Sequence, residues 1–375
     1  MAPSTLEVSS STGLDNLLPT KDQWYTAPAN FEASIPGTVF RVRTVPGGPA
    51  VFSNAAAAYH IMYRTTGLRY QPTSLIIPKK ASKSSGYHSL LSYQVAYNSS
   101  TIDWGSSYRI FQPPLPNAYG IPTDHEKVDI MLDRGWFVAI PDFEGSRAVF
   151  GVTVQVGHAT LDGIRAVLSL VGIPGVLLPG SVDKFKYAMW GYSGGSIVSE
   201  KLAVGFVGAA LGGLVSKMRI LHNTTNKIPY TGNLILVLLG VMNEYPELDV
   251  YLCSRLKTEG PQDVTAGQDI FDYFIGVEWT FGYYGAPGIP LFIYKAIGDE
   301  MTFITDTDEH VEQYKRFNVF VQYERNTVGG YVSEIVNGQD RAIEWLAGAF
   351  NGSITIDKGI MIQDVAVDIY KPPSH

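Results

Sequence analysis

The residues best suited to chemistry lie in one short run, Gly191-Tyr-Ser193-Gly-Gly195. It reads G-x-S-x-G, and its surroundings matter more than its letters. A short apolar strand, Tyr187-Ala-Met-Trp190, precedes it, and a helix-compatible stretch, Ser196 to Val204, follows. A nucleophile elbow requires that order of strand, turn and helix. The serine sits on a sharp turn with its hydroxyl above the sheet, and small neighbours let strand and helix approach. The plainer alternative is a glycine-rich connection carrying an ordinary serine. The chemistry of an elbow is acyl transfer, with Ser193 as nucleophile.

An elbow serine needs a base and an acid to orient it, and in such sheets the acid and then the histidine follow the serine in chain order. Pro290-Leu-Phe-Ile-Tyr-Lys-Ala296 leads into Ile297-Gly-Asp299-Glu300. This places a carboxylate just past the carboxyl end of a late strand, where ligands and catalytic groups gather in open α/β sheets. An aspartate there is also a common turn former. The base is expected after the next strand, Val319 to Tyr323, yet that loop reads Asn326-Thr-Val-Gly-Gly-Tyr331-Val-Ser-Glu334, without a histidine. Beyond Asp299 only His310 and His375 remain. His310, at the start of the intervening helix, reads as a solvated residue, and His375 ends a Pro-Pro-Ser tail.

The elements that must hold these groups alternate. Tyr59 to Tyr63, Ser74 to Ile77 and Leu90 to Tyr97 read as strands. From about residue 124 helices and buried strands take turns: His125 to Arg134, Trp136 to Ile140, Gly157 to Leu170, then Tyr187 to Trp190. After a Gly-rich, irregular stretch over 201–288 the pattern resumes with Pro290 to Ala296, Asp308 to Phe317, Val319 to Tyr323 and Asp340 to Phe350. This predicts an α/β fold, a mostly parallel central sheet flanked by helices, with a large helical cap inserted. The domains expected are an arm over 1–38, a core over 39–203 and 289–375, and a cap over 204–288.

Composition narrows the class. The chain has 375 residues, 45% apolar and 17% charged, which excludes disorder and coiled coil. Its net charge of -7 comes without a basic run, so nucleic acid is not an expected partner. No apolar stretch reaches the roughly 20 residues that cross a bilayer. One cysteine, Cys253, excludes an internal disulfide and reads as a small core residue of the cap. With no basic-then-apolar segment at the N-terminus, the expected location is the cytosol, or outside the cell if the N-terminus was trimmed. Dinucleotide, P-loop and H-E-x-x-H motifs are missing, so no cofactor and no metal is expected. The aromatic group Trp279, Phe281, Tyr283 and Tyr284 is a candidate cavity lining.

With these residues in hand, the chain resembles the fungal secretory lipase family of yeast lipase A-like α/β-hydrolases over roughly residues 40 to 350. The likeness rests on Pro141-Asp-Phe-Glu-Gly145, Leu161-Asp-Gly-Ile-Arg165, Gly191-Tyr-Ser-Gly-Gly195, Gly208-Ala-Ala-Leu-Gly-Gly213, Asn243-Glu-Tyr-Pro-Glu247, Gly298-Asp299, and Gly329-Gly-Tyr-Val-Ser-Glu334 ahead of Ala342-Ile-Glu-Trp-Leu346. The resemblance implies Ser193 as nucleophile, Asp299 as triad acid, and Asp142 with the backbone amide of Gly194 as oxyanion donors. It also implies a cap over about 204 to 288. Tyr331 stands where that family carries its catalytic histidine.

A phenol with a pKa near 10 donates a proton more readily than it accepts one. Three functions follow. The first is non-hydrolytic chemistry, such as cyclisation, isomerisation or elimination, on a hydrophobic carbonyl or acyl compound, with Tyr331 as proton donor and Asp299 as acceptor. The second is an esterase or acyltransferase that activates Ser193 through His158, His310 or a water held by Tyr331. The third is a binding protein that keeps only the pocket.

Overall fold

A computed structural model of the chain describes residues 8–9, 17–67, 69–114, 121–196, 205–217, 231–255, 287–317, 319–354 and 359–370. The strands among them are β1 (Val8–Ser9), β2 (Val39–Thr44), β3 (Ala55–Thr65), β4 (Arg69–Pro78), β5 (Lys83–Ser84), β6 (Tyr87–Gln94), β7 (Phe137–Pro141), β8 (Phe185–Tyr192), β9 (Phe206–Gly212), β10 (Leu291–Ala296), β11 (Val321–Asn326) and β12 (Ile360–Val365). They join in one sheet in the order β1-β2-β3-β4-β7-β6-β8-β9-β10-β11-β12, with β5 paired to β6. From β7 across to β12 every pairing is parallel, and β2, β3, β4 and β7 are joined antiparallel. The expected mostly parallel sheet is therefore present.

The helices are α1 (Ser106–Arg109), α2 (Asp124–Asp133), α3 (Thr153–Ser169), α4 (Thr231–Glu244), α5 (Pro246–Arg255), α6 (Ile304–Tyr314), α7 (Tyr331–Asn337) and α8 (Gln339–Asn351). Strand alternation divides the core between the two faces of the sheet. Tyr187, Met189, Leu291 and Ile293 join one apolar cluster with Ile164 of α3 and Val311 of α6. Ala188, Trp190, Phe292 and Tyr294 join the other with Met131 of α2 and Trp345 of α8. The helix over Asp124–Asp133 begins on a full capping box between Thr123 and Glu126.

Three readings of the sequence need revision. The span 204–288 is not wholly cap, because Phe206–Gly212 is a central strand between β8 and β10. Its glycines disguise it, and one of them has a packing reason: a Cβ on Gly208 would stand 2.6 Å from the Trp345 ring. His310 is not solvated. The helix starts at Ile304, so His310 lies in its middle, 3% exposed, with its ring 4.4 Å from that of Tyr314. Cys253 is helical as expected, but it faces solvent rather than a core. The run read as helix over 196–204 and the aromatic group at 279–284 lie, beyond Ser196, outside the described residues.

Candidate active site

Ser193 follows β8 directly and opens a single 3-10 turn, Ser193–Ser196. Its φ is 53°, in the left-handed region that a non-glycine residue occupies at a cost of about 1–3 kcal/mol. The surrounding glycines make that turn possible. A Cβ on Gly191 would stand 2.0 Å from the Gly195 carbonyl oxygen, and one on Gly195 would stand 2.3 Å from the Gln94 carbonyl oxygen. Both approaches are closer than any side chain permits. The strand and the sharp turn expected from the five-residue run are present, and the helix expected after them lies outside the described residues. Ser196 Oγ donates to the Ser193 carbonyl oxygen at 2.6 Å, tying the turn to itself.

The other named residues also follow the carboxyl ends of parallel strands: Asp142 after β7, Asp299 after β10 and Tyr331 after β11. The β10 and β11 loops touch, since the Tyr331 amide donates to Glu300 Oε2 at 3.0 Å. Tyr192, beside the serine, donates its hydroxyl to the Tyr331 carbonyl oxygen at 2.6 Å, and their rings lie 5.5 Å apart. Tyr331 thus sits on the elbow's flank. It also packs, half-buried, on an apolar group containing Phe150, Val237, Val241 and Met301, which joins the core to α4. Phe150 comes close to the elbow, with a ring carbon 3.4 Å from where a Gly194 Cβ would be.

Asp142 is 5% exposed, and its carboxylate accepts both the amide of Ser107, in α1, and the Ser107 hydroxyl, the latter at 2.6 Å. Burial pushes its pKa up to about 7, against the lowering effect of those two bonds. The Asp142 amide already donates to the Pro72 carbonyl oxygen at 3.0 Å. A donor role at this residue therefore falls to the protonated carboxyl and not to the main chain. Behind it the Tyr25 hydroxyl meets Ser107 Oγ at 3.0 Å, and His60 Nε2 meets the Ser107 carbonyl oxygen at 2.8 Å. Burial, then Arg43, holds the His60 pKa down to about 3, so this imidazole is neutral.

Asp299 is placed as predicted but engaged differently. Its Oδ1 accepts the amides of Met301 and Thr302 at 2.9 and 2.8 Å, and its Oδ2 accepts Lys295 Nζ at 2.9 Å and the Thr302 hydroxyl at 3.1 Å. A carboxylate offers about four lone-pair positions, and these four donors fill them. The proton-acceptor role sketched for Asp299 does not suit a carboxylate so engaged. Sequence reading missed Lys295, although a lysine inside Leu-Phe-Ile-Tyr-Lys-Ala is itself a signal, because lysine is almost never fully buried unpaired.

Two more groups went unnoticed. Glu144 is fully buried in the Asp142 loop and accepts the Ser99 amide at 2.9 Å, and burial drives its pKa well up. Asn98, at φ 42°, reaches over Gly194. Of the alternative bases, His158 is half-buried on α3, and burial lowers its pKa. His310 is held down to about 4 by burial and then by Lys217. Among the described residues no cluster of three His, Cys, Asp or Glu side chains could hold a metal, and no helix is long and apolar enough to cross a membrane.

Against known proteins, the family described as Secretory lipase matches residues 116–276 and 280–358. A trichothecene C-3 esterase of Fusarium sporotrichioides is 36% identical over 93% of this chain and 88% of its own length. Lipase A of Arthroderma benhamiae is 31% identical over 94% of this chain and 84% of its own. In fold the chain is similar to the crystal structure of Candida antarctica lipase A, with a TM-score of 0.77 at 22% identity, covering 95% of this chain and 91% of that one.

Proposed function

The chain belongs to the secretory lipase family of α/β-hydrolases, and on that premise we propose that it hydrolyses carboxylic esters of hydrophobic small molecules through Ser193. The observation that carries this reading is the elbow: a serine at φ 53° after a parallel strand, flanked by glycines that admit no side chain. Strain of that kind is kept where it aims a group. The hydroxyl attacks the acyl carbon, the carbonyl oxygen gains negative charge, and the Gly194 amide with the protonated Asp142 carboxyl stabilises it. Collapse of the adduct breaks the ester C–O bond, the alcohol leaves carrying the proton given up by Ser193, and water hydrolyses the acyl-serine to the acid and the free hydroxyl.

Tyr331 adds a phenol that donates rather than accepts, so Ser193 gives up its proton to a water held there or to another imidazole, and turnover is slow. The apolar group around Phe150, Val241 and Met301 favours a hydrophobic acyl or alcohol portion. Since one relative is named for trichothecene, an ester of that class is the first natural substrate to try. Relatives named as esterase and lipase weigh against cyclisation, isomerisation or elimination, the readings that Tyr331 alone had favoured. The family's description as secretory likewise favours export over the cytosolic location expected from the sequence.

The test is covalent labelling of the full chain with a fluorophosphonate, read by intact mass, beside release of p-nitrophenol from short-chain esters. Stoichiometric labelling that disappears in Ser193→Ala is the expected result. An unlabelled wild-type chain that turns over no ester removes the proposal and returns the non-hydrolytic reading to first place.

A further inference from the structure

Lys295 takes the position in β10 that Leu291 and Ile293 fill four and two residues earlier, and its side chain is fully covered. Nothing about an apolar strand calls for an ammonium there, and one left without partners would be severely destabilising. It has partners for all three N–H groups: the Leu214 carbonyl oxygen at 3.2 Å, Asp299 Oδ2 at 2.9 Å and Thr302 Oγ1 at 2.5 Å. Thr302 in turn donates its hydroxyl to the same Asp299 oxygen. The carboxylate is thus enclosed by one cation, one hydroxyl and two main-chain amides of its own turn.

In a Ser–His–Asp set the acid must keep one oxygen for the imidazole N–H, because its task is to fix the ring's tautomer and orientation. Of the four donors on Asp299, the two amides belong to the turn and the hydroxyl follows them. The ammonium is the donor an imidazole would have to displace. The loops are already adjacent: Tyr331 N–H donates to Glu300, and a Cβ on Gly298 would stand 2.6 Å from the Gly329 carbonyl oxygen. Residue 331 is therefore carried by a loop that touches the acid loop, whose carboxylate has no acceptor position left.

Building on the reading of Ser193 as nucleophile, we propose that Lys295 is a positioning residue that commits Asp299 to an ammonium partner, so that this carboxylate serves no base at residue 331 and the elbow serine works without a Ser–His–Asp set. Burial by itself pulls the Lys295 pKa down and Asp299 is the strongest influence against it, which agrees with a pair that persists because each member needs the other.

The experiment uses the full chain carrying Tyr331→His, Lys295→Met, or both. The first readout is the titration of the introduced imidazole by NMR. In Tyr331→His alone it is expected within about half a unit of the ordinary value near 6.5. In the double variant it is expected to rise by about one unit or more as Asp299 turns to the ring. The second readout is kcat for a p-nitrophenyl ester, expected to rise roughly 10- to 100-fold from the single to the double variant.

A raised imidazole titration in Tyr331→His alone, or an equal gain in kcat from single and double, overturns the proposal. So does a folded double variant in which the imidazole stays at its ordinary value. Where the double variant does not fold, the single variant still decides by its titration. Fluorophosphonate labelling reports separately on Ser193. A serine that stays unlabelled while the imidazole titrates as expected removes the hydrolase reading and leaves Lys295 in its assigned role.

Discussion

At the carboxyl end of β8 the chain holds Ser193 in a backbone conformation it would not otherwise adopt, whereas at the carboxyl end of β10 it surrounds Asp299 with every donor a carboxylate can take. The first arrangement is strained. The second is satisfied and rigid. A catalytic acid normally needs an acceptor position kept for its partner. The contrast teaches that one side of the candidate site has the strained turn of an elbow while the other is a buried ion pair, and that position in the fold does not by itself assign a role.

Each end of the site can be tested by substitution. The largest effect is expected from Ser193→Ala, which should remove labelling and lower ester turnover by on the order of 10³-fold or more, measured by burst and steady-state kinetics. Next, Lys295→Met leaves a buried carboxylate without its cation and should cost about 3–5 kcal/mol in urea unfolding. Lys295→Met with Asp299→Asn should recover most of that loss, since the amide oxygen still accepts the Met301 and Thr302 amides. If Lys295→Met is neutral, the ion pair is not what holds this end together. Gly195→Ala tests the other side. Its methyl would meet the Gln94 carbonyl oxygen, and a loss of about 1–3 kcal/mol with disappearance of labelling is expected.

A smaller effect should appear with pH. Asp142 has its pKa raised by burial from 3.8 to about 7. Between those values the folded chain keeps a proton that the unfolded chain has released, so stability falls as pH rises through that window. If the neutral acid is the oxyanion donor, kcat also falls as pH rises through about 7. Asp142→Asn should flatten both profiles, and an unchanged kcat profile would take Asp142 out of the reaction. The smallest change is expected for Tyr25→Phe, which removes one bond to Ser107 behind Asp142 and should cost about 1 kcal/mol or less.

Much of this was legible in the residues. The parallel half of the sheet followed from continuous apolar runs such as Trp136 to Ile140 separated by helical stretches, and the elbow followed from glycines spaced around Ser193. What escaped had physical causes. The strand Phe206–Gly212 was hidden because Gly208 admits the Trp345 ring and Gly212 the rings of Tyr294 and Tyr192, reasons that lie on other elements. His310 appeared solvated because its neighbours Asp308, Glu309 and Glu312 are polar, while the ring itself turns inward onto Tyr314. The partner of Asp299 is a cation four residues earlier, inside an apolar run where only its type marks it out. Hydrogen-bond saturation is a three-dimensional property that no spacing in the chain records.

Helix α4 meets the core main chain to main chain. Its Gly240 lies so near the main chain of Phe150 that a methyl there would be 2.2 Å from the carbonyl oxygen. Asn243 donates to the carbonyl oxygens of Ser100 and Ala148 at 3.1 and 3.2 Å, and Glu244 pairs with Arg69. A helix seated backbone to backbone and fastened at its end behaves as masonry. Displacing such a helix would uncover main chain as well as side chains.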